Sequence, residues 1–285
     1  MRNFTISDEV RDYAAGRGSW GPDDVVRRLR AKTWALGDAA GMQIGDDQGQ
    51  LLTMMARLVG ARRSVEVGTF TGYSSLCIAR GLADGGSLLC CDISEEWTAL
   101  GVRAWEEAGL RDRVELRIGP ALKTLRRLPH EADIDLVFID ADKTGYVDYW
   151  DELVPRVRPG GVLLVDNVLW SGRVVDESVT DDDTVALRRF NDMVAGDVRV
   201  EVVVLTAFDE LQTGVLEASD TATRARRLAT LDSVAGLEAL PIDVVAARHW
   251  ATLRVRFASE TAPSRSAGPC ELVQVRDIAP NEQIR

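Results

Sequence analysis

Histidine is nearly absent: the 285 residues hold two, His130 and His249. That scarcity argues against a zinc site built on imidazoles and against a Ser-His-Asp triad. Cysteine is also sparse. Cys77, Cys90, Cys91 and Cys270 form no Cys-x-x-Cys pair and no disulfide-like spacing, which points to a reducing, cytoplasmic compartment. Cys90 and Cys91 are neighbours in an apolar run. On a strand their side chains face opposite ways, so they cannot share one ligand set. Basic residues are outnumbered, with 34 Lys and Arg against 45 Asp and Glu, a net charge of −11. Binding to a phosphate backbone needs surplus cations, so the chain is a poor sequence-independent partner for nucleic acid, although a local basic patch is compatible with it. No apolar run approaches the roughly 20 residues that span a bilayer. Met1 to Trp20 is polar and lacks the basic flank and apolar centre of a leader, so neither a leader nor a membrane anchor is expected there.

What is present fits a folded α/β protein. Hydrophobic residues make up 46% and charged residues 28%, the balance of a globular chain. From Ser64 to Leu205, short apolar runs alternate with amphipathic stretches. Strands are predicted at Arg63 to Val67, Ser87 to Cys91, Val114 to Ile118, Ile134 to Ile139, Val162 to Val165 and Val198 to Leu205. Helices are predicted at Tyr73 to Leu82, Glu95 to Ala108, Tyr146 to Val157 and Thr184 to Val194, with Pro159-Gly160-Gly161 as a turn. Strands separated by helices imply right-handed βαβ units. The expected fold is therefore a Rossmann-like, doubly wound, mostly parallel sheet covered on both faces. Asp23 to Ala40 and Gln48 to Val59 read as amphipathic helices packed beside it.

Beyond Leu205 the character changes. Thr221 to Leu231 and Asp243 to Val255 read as helices, and Ser259 to Pro269 as a mobile stretch rich in small residues and proline. The expected division is a domain over 1–208 and a helical extension over 209–285.

In open parallel sheets, ligands bind outside the carboxyl ends of the strands. The first strand is followed by Glu66-Val-Gly68-Thr-Phe-Thr-Gly72, whose glycines allow a tight turn and close backbone approach to a ligand. The spacing is not Gly-x-Gly-x-x-Gly, which counts against a dinucleotide pyrophosphate. An ordinary strand-to-helix turn is the competing reading. Asp92 ends the next strand, where a carboxylate can accept both hydroxyls of a ribose or merely cap the following helix. Gly119-Pro120-Ala121 ends the third and offers small surfaces for a flat ring. The strongest group is Asp140-Ala-Asp142-Lys143 with Asp166-Asn167. Two carboxylates and an amide oxygen at the ends of adjacent strands are hard ligands, suited to Mg²⁺ or Ca²⁺. Such a cation lowers the pKa of a bound hydroxyl and makes it a nucleophile. Lys143, one helical step on, is then a candidate general base. Solvated loop acids with a surface lysine are the bland alternative.

Three segments, SVEVGTFTGYSSLCIAR from Ser64, DLVFIDADKTGY from Asp135 and GGVLLVDNVLWSG from Gly160, resemble the class I S-adenosylmethionine-dependent, cation-dependent O-methyltransferases, relatives of caffeoyl-CoA and catechol O-methyltransferases. Met42-QIGDDQGQLL resembles the same family's segment before the first strand. The resemblance covers roughly residues 5 to 205. It implies that Ile44, Glu66, Gly68, Thr69, Ser74, Asp92, Ala121 and Asp140 contact S-adenosylmethionine. It further implies that Asp140, Asp166 and Asn167 hold a divalent cation, Mg²⁺ first, with Ca²⁺ or Mn²⁺ as alternatives. Lys143 matches the family's base, Asp140 also faces the reacting groups, and Met42 and Trp170 flank the acceptor, core packing being the alternative for both. The implied reaction is an in-line displacement in which a substrate oxygen takes the sulfonium methyl. The implied acceptor is a small hydroxylated aromatic, catechol-like or phenolic, and a homodimer is common in such families.

The tail departs from this pattern, because the family's closing strand is not evident after Leu205. Glu210-LQTGVLEASDTATRARRLATL and Leu240-PIDVVAARHWATLRV instead resemble the middle of PIN-domain ribonuclease toxins, with Glu210 as a possible metal acid. The rest of that acid set is missing, so the extension is read as non-catalytic. Three other readings are weighed against the methyltransferase: a cofactor-binding protein impaired by its tail, a nicotinamide oxidoreductase and a tail-borne ribonuclease.

Overall fold

The computed structural model describes residues 23–205 and, as backbone, 271–275. Its centre is a parallel sheet of β1 (Arg63–Val67), β2 (Ser87–Asp92), β3 (Val114–Ile118), β4 (Ile134–Ile139) and β5 (Val157–Val165), in the order β3-β2-β1-β4-β5. The chain winds outward from β1 to β3, then returns to lay β4 on the other side of β1. That reversal places the switch point of the sheet at the carboxyl ends of β1 and β4, where such sheets bind ligands.

Helices cover both faces, as a parallel sheet requires. On one face lie α1 (Asp24–Trp34), α2 (Asp46–Leu58), α3 (Tyr73–Gly81) and α4 (Glu95–Glu107). They bury Leu29, Leu52, Leu76 and Trp105 against Leu88, Leu136 and Phe138. On the other lie α5 (Ala121–Leu125), α6 (Tyr146–Leu153) and α7 (Asp182–Ala195), whose Leu125, Trp150, Leu187 and Phe190 pack on Val67, Val137 and Leu163. Cys90 joins the first cluster and Cys91 the second, as strand alternation requires. All six residues of β4 are buried, the signature of a central strand. Three helix starts carry the expected caps: the side chains of Asp23, Ser94 and Asp181 accept from the backbone N–H of Val26, Trp97 and Thr184. Among the described residues, no helix is long and apolar enough to cross a membrane.

The amino ends of the strands are tied by Asp135. Its carboxylate accepts from the backbone N–H of Arg62 (2.7 Å) and Arg63 (2.8 Å) and from Arg158 Nε (2.5 Å). Burial pushes this carboxyl up, but Arg158 and the two backbone donors outweigh it and hold it below its ordinary value.

Four expectations need correction. The first helix ends at Trp34, not Ala40, because Gly37 adopts φ +66° and the chain tightens into a 3₁₀ segment, Gly37–Met42. The helix predicted to reach Val157 stops at Leu153, since Pro155 offers no N–H to continue it. Pro159-Gly160-Gly161 is not a separate turn but a bulge inside β5: Ile134 pairs with Val157 and Leu136 with Val162. Finally, a closing strand exists. β7 (Glu271–Val275) lies between β5 and β6 (Val200–Val204) and runs antiparallel to both. The expectation of a helical segment over 209–285 fails at these five residues. The pairing is between segments far apart in sequence, and a five-residue strand carries little periodicity of its own. Glu210 and the helices predicted over Thr221 to Leu231 and Asp243 to Val255 lie outside the described residues.

Candidate active site

The loop after β1 is held by its glycines and by Asp92. Gly68 sits at φ +89°, and a Cβ there would lie 1.9 Å from the carbonyl oxygen of Asp140. No other residue allows β1 and β4 to approach so closely at their carboxyl ends. Asp92, at the end of β2, accepts from the backbone N–H of Thr69 (2.8 Å) and Phe70 (2.7 Å) with one oxygen and of Ser94 (2.7 Å) with the other. The cap of α4 is Ser94 itself, so Asp92 serves the loop rather than the helix end. Phe70, at φ +49°, meets the edge of Trp97 with ring centroids 5.2 Å apart. The Gly72 carbonyl accepts from Trp105 Nε1 at 3.2 Å.

Glu66 is fully buried on the α3 side of β1. Ser74, Thr69, Cys90 and Ser75 surround its carboxyl, yet neither oxygen has a hydrogen bond of ordinary geometry, and Thr69 Oγ1 and Ser75 Oγ are likewise unpartnered. Burial pushes the Glu66 carboxyl up to about 7. Orphaned buried polar atoms are rare in native folds, and a cluster beside a glycine turn fits a polar ligand group. Ser74 stands in the first turn of α3, and Ala121 opens α5 directly after Pro120; both are buried. Ile44 is buried in the first core cluster just before α2.

The second half of the site sits at the ends of β4 and β5. Asp140 N–H donates to the Val67 carbonyl (2.8 Å) and Asp166 N–H to the Ile139 carbonyl (2.9 Å), so the hydrogen-bond ladder carries both residues one step past the strands. Lys143 is buried, with 6% of its surface exposed. Its Nζ donates to Asn167 Oδ1 (2.8 Å), Asp140 Oδ1 (3.1 Å) and Tyr146 OH (2.5 Å). All three ammonium hydrogens thus have acceptors. Asn167 holds φ +63°, an uncommon value for a residue other than glycine and typical of strained functional positions. Asp166 is buried, and its carboxyl is pushed well up, first by burial and then by the neighbouring Asp140. Trp170, at φ +48°, is half-buried with its ring centroid 5.6 Å from Lys143 Nζ. Its Nε1 is buried without a partner. Met42 is 48% exposed, so core packing is not its role.

Among the described residues, no three His, Cys, Asp or Glu side chains gather as a metal site. The expected set has only two such members, its third being an amide. Two of its oxygens, on Asp140 and Asn167, already face one cationic nitrogen, so the donor chemistry suits a cation. Sequence reasoning missed two participants. Tyr146 OH donates to the Asp166 carbonyl (2.9 Å) while accepting from Lys143, and the i,i+3 spacing of Lys143 and Tyr146 was a usable signal. Gln48 Nε2 donates to Asp166 Oδ2 (2.9 Å) across 118 positions of chain, for which no local signal exists. Asp142 instead leaves this group to accept from Tyr149 OH at 2.6 Å.

Comparison with known proteins converges on one family. A family model described as O-methyltransferase matches residues 19–215. Caffeoyl-CoA O-methyltransferase 2 of Zea mays is 37% identical over 198 residues, which is 65% of this chain and 72% of that protein. The O-methyltransferase of Bacillus cereus, solved in complex with SAH, is 32% identical with a TM-score of 0.65, covering 70% of this chain and 90% of its own. The O-methyltransferase TomG of Streptomyces achromogenes, solved with SAM, is 25% identical with a TM-score of 0.69, covering 97% of this chain and all (100%) of its own. Together with the sheet order and the residues at its carboxyl rim, these matches establish that the chain belongs to the O-methyltransferase family.

Proposed function

We propose that this protein moves the methyl group of S-adenosylmethionine to a hydroxyl of a small catechol-like or phenolic acceptor, beside a divalent cation held by Asp140, Asp166 and Asn167. The observation that carries the proposal is the convergence of Asp140 and Asn167 oxygens on Lys143 Nζ, at the ends of adjacent strands and next to the glycine turn. S-adenosylmethionine supplies an electrophilic methyl group on a sulfonium. The cation, Mg²⁺ by its preference for oxygen ligands, favours the ionised form of the acceptor hydroxyl.

The chain's own residues do the rest. Gly68, with Thr69 and Ser74, lets the backbone approach the donor, and the orphaned Glu66 carboxyl lies on the same side. Ile44 and Ala121 add apolar surface, and Asp92, with acceptor capacity beyond its three backbone donors, takes the ribose hydroxyls. Asp140 would face donor, cation and acceptor alike. Lys143 accepts the acceptor's proton at Nζ; because its three hydrogens are committed in this arrangement, it must first pass one proton to solvent water and release the contact that proton made. Met42 and Trp170 hold the aromatic ring, Met42 from its exposed position and Trp170 over the lysine. Holding nucleophile and methyl in line is the main source of acceleration. The extension over 209–285 takes no part in this chemistry beyond the strand that borders β5. A cytoplasmic homodimer belongs to the same proposal, and sedimentation velocity reads its assembly directly.

The test is calorimetric titration with S-adenosylmethionine, followed by mass spectrometry of a catechol and phenol panel with and without EDTA. Donor binding, and methylation lost on chelation, are expected. Full turnover in EDTA removes the cation from the scheme, and failure to bind the donor removes the scheme itself.

A further inference from the structure

We infer that Gln48 is a positioning residue that orients Asp166 toward the cation. The inference rests on the cation reading above. Gln48 lies in the first turn of α2 and is buried. Its Nε2 donates to Asp166 Oδ2 at 2.9 Å, while the other carboxylate oxygen accepts from the Asn167 backbone N–H at 2.8 Å. Among the described residues, Gln48 is the one side chain that donates to this carboxylate.

The chemistry of that contact suits an outer partner of a metal ligand. Each carboxylate oxygen has two acceptor directions. One donor on each leaves one direction free on each while fixing the plane of the group. When Asp166 is ionised, a neutral amide stabilises its negative charge without adding a second cation to compete for it, whereas Lys143 brings its own charge to Asp140 and Asn167. Partners of this kind set ligand orientation and typically alter metal affinity by about 10–100-fold when removed.

The donor is itself held. Gln48 N–H donates to Asp47 Oδ1 at 2.9 Å. One turn face of α2 is buried through Leu51, Leu52 and Met55. At its start, Asp46 accepts from Tyr73 OH at 2.8 Å and pairs with Arg30 of α1. The helices before β1 therefore reach the end of β5 through one amide. On this account the amino-terminal layer is part of the ion site, not only a wall beside the acceptor.

The test uses the full chain and two variants. Gln48→Met keeps the length of the side chain and removes the donor; Gln48→Asn keeps the amide but shortens it by one carbon. Mn²⁺ serves as the probe, titrated by electron paramagnetic resonance without methyl donor or acceptor. Both variants are expected to bind Mn²⁺ about 10–100-fold more weakly, with S-adenosylmethionine affinity and melting temperature unchanged. The Mn²⁺ concentration for half-maximal rate should rise more than the maximal rate falls. If Gln48→Met fails to fold, Gln48→Asn decides. Mn²⁺ affinity equal to wild type in a folded variant overturns the role of Gln48 alone. Parallel loss of donor binding and thermal stability makes Gln48 a structural residue and also overturns it. A wild-type chain that takes no Mn²⁺ overturns the cation reading and this role with it.

Discussion

Lys143 Nζ lies 2.8 Å from Asn167 Oδ1 and 3.1 Å from Asp140 Oδ1, so one buried ammonium bridges the ends of β4 and β5. Lys143→Met keeps the length and apolar bulk of the side chain and removes both the charge and the proposed proton acceptor. With saturating Mg²⁺ and donor, kcat is expected to fall about 10²–10⁴-fold, the usual worth of a general base. Calorimetric affinity for S-adenosylmethionine should hold. A kcat near wild type would take the base role away from Lys143.

Glu66 gives the fold a pH dependence of definite sign. Its folded carboxyl is raised from 4.5 to about 7 by burial, so the folded state keeps a proton that the unfolded state releases. Its contribution is fully present below pH 4.5 and is lost as pH rises through about 7. Relative to Glu66→Gln, which stays neutral, the wild type should lose about 3 kcal/mol across that window. Urea unfolding of both proteins at pH 5 and pH 8 measures the difference. Equal changes in the two would show that Glu66 does not set it.

Gly68→Ala tests the crossing of β1 and β4. The residue combines φ +89° with a Cβ position 1.9 Å from the Asp140 carbonyl oxygen, so the two strand ends must separate. A loss of at least about 1–3 kcal/mol is expected from the backbone conformation alone, together with loss of donor binding. Chemical denaturation and calorimetry read the two effects. A variant that binds the donor like wild type would show that the loop tolerates movement here.

Phe190 is fully buried on α7, edge-on to Tyr146 at 5.5 Å and to Trp150 at 5.6 Å. Phe190→Ala should cost about 3–5 kcal/mol through lost burial and the cavity left behind. Because Tyr146 also accepts from Lys143, kcat should fall as well, even where the variant is fully folded. Urea midpoints and kcat measured below the melting transition separate these effects.

Much of the architecture was legible because it is local. The strand ends at Asp92, Asp140 and Asp166 could be placed from the apolar runs before them, since a polar residue closing such a run marks where a buried strand reaches the rim. Boundaries failed where one residue redirected the backbone: Gly37 at the end of α1, Pro155 after α6, and Gly160 within β5. The nearness of Asp140 and Asn167, which share Lys143 as a partner, could be anticipated because adjacent strands bring their carboxyl ends together. Gln48 could not, because nothing in the chain between it and Asp166, a separation of 118, records their meeting.

The sequence by itself determined the alternation of strands and helices, the glycines of the β1 turn and the residue types at the carboxyl rim. These follow from periodicity and from the backbone freedom of particular residues, which act over a few positions. Tertiary structure alone decided the winding order that puts the switch point between β1 and β4 and the seat of β7 between β5 and β6. It also decided the meeting of Lys143, Asn167, Tyr146, Asp166 and Gln48 around one point. Those arrangements depend on which surfaces bury one another once the chain has closed, and no window of the sequence contains both sides of such a contact.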